Sequence, residues 1–367
     1  MAEESATVPL EQSTLEQGCG LQTSKLGLYG SHAICNFCMP PGNAEINDIS
    51  IISKMVSLQT VKINDTKVTT LAPLASLHSM HELDASNNQL TQVLDFDTPD
   101  GTLEDQTLDV SNCYIGPVLQ RANLSRNNIF HIRDLQLFMA LSYLDLSNNK
   151  IQKITGVENL ENLKTLKLVD NCLKSCEGVP PMIENLDLSG NAISDISPLA
   201  SLVGLRDIAL DQNRIGDLGP LSDCMWLNSV SAKENWIVRF DALLPLSSLE
   251  LLRVVSFAGN PIENLSHYRS RILLRLPDVV QLDGAQASYG EKVRAKCIVG
   301  EELKVRRAHH EEFLPPALFY DPSPPFLEST EPKALSPRDK ISLASQKVVE
   351  SVITEAVDNQ SPRQNGV

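Results

Sequence analysis

The chain has 367 residues and a net charge of −15, from 46 acidic against 31 basic residues, and 42% of it is hydrophobic. Such a surface repels nucleic-acid phosphate and anionic lipid, which excludes direct binding to either except at a local basic cluster. No apolar run approaches the roughly 20 residues of a membrane helix, and residues 1–7 lack the apolar segment of a secretory signal.

Residues 1–35 are expected to be a flexible segment and N-terminal shield. They are polar and mobile to residue 24, then loop-rich, with Gly27, Gly30, Pro40, Pro41 and Gly42 carrying irregular backbone to residue 45. Cys35-Asn-Phe-Cys38 is a C-x-x-C pair with Cys19 and His32 nearby. Zinc needs four ligands and a second close pair is missing, so no metal is assigned. The eight cysteines are scattered, which suits free thiols in a reducing compartment.

A repeat then governs residues 36–284. Asn127, Asn149, Asn171, Asn191, Asn213, Asn235 and Asn260 recur at about 22-residue spacing, each preceded by the same aliphatic phrase. The cleanest copy is Leu141-Ser-Tyr-Leu144-Asp-Leu146-Ser-Asn-Asn149-Lys-Ile151. Copies start near Leu58, Met80, Asp105, Leu119, Leu141, Leu163, Ile183, Leu205, Leu227 and Leu252, after a degenerate one ending Ile46-x-x-Ile49-x-x-Ile52-x-x-Met55. Leu144 and Leu146 alternate with Tyr143, Asp145 and Ser147, the period of a strand with one buried face. Ile151, Ile154, Val157 and Leu160 recur every third residue, the spacing of a tight 3₁₀-like return. One copy cannot bury its own apolar side, so copies must stack. The asparagine amide is placed to satisfy buried backbone groups at the turn and to link neighbouring copies. Thr66 and Cys113 replace it in two copies. Residues 94–104 read as an inserted acidic loop, with a bulge or hairpin expected from Asp105 to Val118.

These phrases resemble the leucine-rich repeat in its 22-residue form. The stretch Tyr268-Arg269-x-x-Ile272-x-x-x-Leu276-Pro277-x-Val279-x-x-Leu282-Asp283 resembles the C-terminal cap of a subfamily that includes the repeat-built regulatory subunit of protein phosphatase one, the leucine-rich light chain of axonemal dynein and the A-prime protein of the spliceosome. The resemblance implies an α/β solenoid with a parallel β-sheet on its concave face, 3₁₀ or short-helix return limbs, a C-terminal cap and a flexible tail.

Past the cap, residues 285–314 read as a helix with Tyr289, Val293 and Cys297 on one face. The run Lys304-Val-Arg306-Arg307-Ala-His309-His310 reads as its solvated end, with a phosphate-binding site as the alternative. Residues 315–335 form a proline-rich linker containing Phe319-Tyr320-Asp321-Pro322-Ser323-Pro324-Pro325-Phe326, a docking peptide or a strap on the solenoid's own flank. Residues 336–367 are a tail with one amphipathic helix: Ser336, Pro337 and Asp339 start it, and Ile341, Val348, Val349, Val352, Ile353, Ala356 and Val357 form its stripe. Such a helix is marginal alone in water, so it docks or frays.

No nucleophile elbow, phosphate-cradling loop or metalloprotease motif is present, so no catalytic residue and no cofactor is assigned. Arg253-Val-Val255-Ser-Phe257 matches a phosphatase-docking motif, but Val255 and Phe257 fall at inward strand positions. Function is read instead from the outward strand positions, which line the concave face. Glu82, Asp84, Asp109, Arg121, Tyr143, Asp145, Lys167, Asp187 and Asp207 are the expected partner-binding residues, with Tyr143 and Arg121 as anchors. An acidic face favours a basic protein partner. The expectation is a non-catalytic scaffold in the cytoplasm, with a cytoskeletal or flagellar association and the nucleus as the alternative site. A phosphatase regulatory subunit is the alternative function.

Overall fold

The computed structural model describes residues 7–19, 35–96 and 118–298. Their backbone is one sheet of twelve short strands in chain order. The strands are β1 Asn36–Cys38, β2 Thr60–Lys62, β3 Glu82–Asp84, β4 Arg121–Asn123, β5 Tyr143–Asp145 and β6 Thr165–Lys167, then β7 Asn185–Asp187, β8 Asp207–Ala209, β9 Ser229–Ser231, β10 Val254–Ser256, β11 Gln281–Leu282 and β12 Ala285–Gln286. Pairing is parallel and in register from β1 to β11, and β12 closes the sheet antiparallel. This is the parallel-sheet solenoid that the 22-residue period implies.

Each strand is three residues or fewer because only its middle side chain must point inward. That column runs Phe37, Val61, Leu83, Ala122, Leu144, Leu166, Leu186, Ile208, Val230, Val255 and Leu282, all buried. Each fully buried aliphatic side chain contributes roughly 1.5–3 kcal/mol. The return limbs tighten into 3₁₀ turns at Ser50–Lys54, Ala72–Leu74, Ser197–Ser201, Gly219–Asp223, Phe240–Ser248 and Pro261–Asn264. Pro73, Pro198, Pro220 and Pro261 sit in their first turns, where a missing N–H costs nothing.

The asparagines form a ladder between copies. Asn149 Nδ2 donates to Leu124 O of the preceding copy and to Leu146 O and Ser147 O of its own. Its Oδ1 accepts the Ile129 N–H at 3.1 Å. Asn213 repeats the set three copies on, with Leu188 O, Leu210 O, Asp211 O and the Ile193 N–H. Where Thr66 stands instead, its hydroxyl bonds Ile63 O and Asn88 Oδ1, so the shorter side chain leans on the next copy's amide.

The residue before each asparagine is left-handed. Asn87, Arg126, Asn148, Asp170, Gln212 and Glu234 have φ from 52° to 56°, and Gly190 and Gly259 occupy the same place at 69° and 76°. Glycine, asparagine and aspartate suit this conformation.

Three sequence expectations about the N-terminal half are corrected. Residues 1–24 were expected to be mobile, yet α1 (Gln12–Gly18) packs on β1 and buries Leu15, while Leu10 N–H bonds Asp48 O at 2.8 Å. The first apolar rung needs a cover, and Leu10 and Leu15 supply it. The acidic insertion does not begin at Leu94. Leu94 and Phe96 are buried, Phe96 packs on Phe138 at 5.9 Å, and Asp95 Oδ1 accepts the Leu71 N–H. The expected copy at Asp105 adds no rung between its neighbours, because β3 pairs directly with β4. Asp109 and Cys113 lie outside the described residues.

At the C-terminal end, α2 (Tyr268–Arg275) and α3 (Tyr289–Ile298) cover the last rung. Ile272, Leu273, Leu276 and Val293 are buried there. The helix expected from residue 285 starts at Tyr289 instead, since residues 285–286 are taken by β12. Tyr289, placed on the expected inner face, is exposed, whereas Ala295 is buried beside Val293. Residues 299–367 lie outside the described part, and with them the expected basic run, proline-rich linker and tail helix.

Candidate binding face

The outward residues of each strand form two columns in register. One runs Lys62, Asp84, Asn123, Asp145, Lys167, Asp187, Ala209 and Ser231, and the other Thr60, Glu82, Arg121, Tyr143, Thr165, Asn185, Asp207 and Ser229. All the expected partner-binding residues except Asp109, which lies outside the described residues, are therefore on one face.

Tyr143 is its centre. The Arg121 guanidinium lies 4.4 Å and the Lys167 ammonium 5.6 Å from the ring centroid, one from each neighbouring strand. The Tyr143 hydroxyl donates to Asp145 Oδ2 at 3.2 Å. Burial, then the Asp145 charge, raises the phenol's pKa, so it stays protonated at neutral pH. Two cations on a half-buried ring hold it in place.

The aspartates have a second role that the sequence reading missed. Asp84, Asp145 and Asp187 each accept the N–H of the serine two residues on, at 3.0–3.1 Å, through Oδ1. Asn123 does the same for Ser125. These turns need an acceptor that either side chain supplies. The repeated Asp-x-Ser and Asn-x-Ser spacing was the available signal. One carboxylate oxygen of each is thus committed to backbone; the other remains for a partner in Asp84 and Asp187, whereas in Asp145 it accepts the Tyr143 hydroxyl.

Further along, a hollow of about 240 Å³ opens over β6 to β9. Its floor is low because Ala209, Ser229 and Ser231 are small, and Lys167, Asn185, Asp187 and Asp207 stand around it. Beside it Lys164, Glu184 and Arg206 form an ion-pair row, with Glu184 accepting at 2.7 and 3.3 Å. The Lys164 hydrogen bond holds the Glu184 carboxyl below its usual range. Such exposed pairs order side chains more than they stabilise. Among the described residues no group of His, Cys, Asp and Glu could hold a metal ion, and Cys35 and Cys38 are exposed on either side of buried Phe37. No helix of the described residues is long and apolar enough to cross a membrane. The phosphatase-type motif is closed to a partner, since Val255 and Phe257 are fully buried.

A family profile described as Leucine Rich repeats (2 copies) matches residues 181–223. With the asparagine ladder and the strand-per-copy sheet, that match identifies the repeat unit. The chain carries leucine-rich repeats. Leucine-rich repeat-containing protein 23 of Bos taurus is similar to it, 26% identical over 301 residues that cover 79% of either chain. U2 small nuclear ribonucleoprotein A′ of Candida glabrata is 31% identical over 111 residues, 30% of this chain and 42% of that protein. An internalin of Listeria monocytogenes shares the fold, with a TM-score of 0.54 at 21% identity over 66% of each chain. Leucine-rich-repeat proteins generally mediate protein–protein interaction, and an open sheet face with ordered polar anchors is suited to that.

Proposed function

We propose that this leucine-rich-repeat protein is a non-catalytic scaffold that holds a basic partner protein on its concave face, within the cytoplasm and in a cytoskeletal or axonemal setting. The observation that supports the reading is the hollow over β6–β9, with Asp187 and Asp207 beside it and the Arg121–Tyr143–Lys167 stack next to it. Free carboxylate oxygens attract a cationic surface and speed its approach, and the fixed aromatic ring gives it an apolar seat. Net charge acts in the same direction.

The test is neutralisation without loss of the turn acceptors. Asp145→Asn, Asp187→Asn and Asp207→Asn remove three charges, and Asn123 already shows that asparagine serves such a turn. Tagged full-length wild type and triple variant are used to capture partners from ciliated cells, and the captured proteins are quantified at low and high salt. The expected result is capture of a basic axonemal or microtubule protein that weakens about tenfold in the variant and in high salt. Capture of the phosphatase catalytic subunit instead would replace the cytoskeletal setting by the regulatory one. Equal capture by both proteins would move the interface off this face.

A further inference from the structure

The turns that lead into β7–β10 carry an apolar ridge that no described residue covers. Met182 stands immediately before Ile183, the first residue of its copy, Val203 two places before Leu205, Met225 and Trp226 directly before Leu227, and Leu251 directly before Leu252. They are 51, 59, 57, 60 and 42% exposed. At the same place the β3 and β6 copies have His78-Ser79 and Glu161-Asn162, so the unbroken row begins at Met182, and Met139 of the β5 copy, 68% exposed, stands apart from it. Consecutive strands pair in register, which spaces the teeth at about 4.8 Å and gives a ridge roughly 15 Å long. Single exposed apolar residues are ordinary, but a contiguous row of this kind marks a surface that something covers.

An α-helix laid along the ridge fits it, because its pitch of about 5.4 Å nearly matches the rung spacing. The chain contains a suitable sequence. Val348 with Val349, Val352 with Ile353, and Ala356 with Val357 recur one helical turn apart within residues 336–357, which lie outside the described part. The described fold ends at Ile298 in α3, at the end of the stack that bears the ridge. Residues 299–335 can span on the order of 100 Å, so reach is no obstacle. Tethering also keeps the segment at roughly millimolar effective concentration. A stripe too weak to hold a helix alone and a ridge without cover thus occur in one chain. We propose that residues 336–357 seat their apolar stripe on the Met182–Leu251 ridge, so that the protein covers its own strand-leading rim. Seating of the tail on the rim is independent of partner binding in the hollow.

The chain has two tryptophans, Trp226 on the ridge and Trp236 away from it. In full-length protein, Trp236→Phe leaves Trp226 as the sole reporter. Acrylamide quenching and emission wavelength are measured with and without Val348→Asp and Val352→Asp. With the tail seated, Trp226 emission is blue-shifted, and the two aspartates raise its quenching about threefold or more and shift it to the red, by the loss of a tethered occupant. Val348→Leu with Val352→Leu retains the protection. Equal quenching in the valine and aspartate proteins overturns the proposal. Protection that disappears on dilution overturns it in favour of a second copy of the chain.

Discussion

The Tyr268 hydroxyl donates to Asp283 Oδ2 at 2.9 Å while Asp283 Oδ1 accepts the N–H groups of Phe257 and Ala258 at 2.7 and 3.0 Å. One carboxylate thereby ties the cap helix to the last full copy. It replaces the acceptor that Asp84, Asp145 and Asp187 provide within their own copies, since Ser256 stands at that position in the last copy. Asp283→Ala strands two amide donors and the phenol together, and is expected to cost about 3 kcal/mol, whereas Tyr268→Phe removes one bond and costs about 1 kcal/mol. Urea unfolding of the two variants checks the ratio.

Asn213 tests the ladder. It is 5% exposed and bonds three carbonyls and one amide from two copies. Asn213→Ala is expected to lower stability by about 3 kcal/mol, because buried groups are left unpaired. Asn213→Asp keeps the acceptor for Ile193 but faces three carbonyls with a carboxylate, so it should be no milder. Asn185→Ala, on the open face with a single 3.4 Å bond, is expected to change stability by less than about 0.5 kcal/mol.

Gly178 meets its neighbour copy closely. Its φ is +88°, and a Cβ there would lie 2.1 Å from Ile154 O. Both the backbone and the contact forbid a side chain. Gly178→Ala is expected to cost about 3 kcal/mol or more, read by thermal unfolding, and to loosen the joint between its copy and the preceding one.

Asp95 gives a pH signature. Burial raises its pKa above the ordinary 3.8, against the lowering effect of the Leu71 N–H. A raised folded pKa means that the native state holds its proton more firmly than the unfolded chain does. Its favourable contribution is complete below the unfolded value and is lost as pH rises through the folded one. Asp95→Asn keeps the acceptor for Leu71 and avoids the buried charge. It is expected to be more stable than wild type at pH 7, with the difference vanishing near pH 3. Denaturant midpoints at the two pH values measure this.

Cys176 and Cys224 are buried, and burial pushes their thiols up to about 12 and about 11. Thiolate is the reactive form, so iodoacetamide at pH 8 should label exposed Cys35, Cys38 and Cys172 at least about a hundredfold faster than these two. Peptide mass mapping over time reads the order.

The solenoid was legible because its physics is periodic. Each inward leucine and each ladder asparagine recurs at a fixed offset, and stacking leaves such residues one role. The left-handed position was not read, since Arg126, Gln212 and Glu234 hide the asparagine, aspartate and glycine preference seen in the other copies. The turn-accepting role of Asp145 and Asp187 was also missed, because an outward aspartate looks the same whether it faces solvent or its own backbone. The count of copies failed at Asp105, because β3 pairs directly with β4 and leaves no place for a further rung between them. The hollow depends on the size of Ala209, Ser229 and Ser231 together, and only the in-register alignment of strands brings them side by side.

The unbroken pairing of β3 with β4 has a practical consequence. Glu82, Leu83 and Asp84 pair in register with Arg121, Ala122 and Asn123 although more chain intervenes in the sequence here than between other neighbouring strands. The seam therefore tolerates added chain length, which makes it the natural point for grafting a fluorescent reporter or an affinity tag while the flanking coils keep their grip on one another.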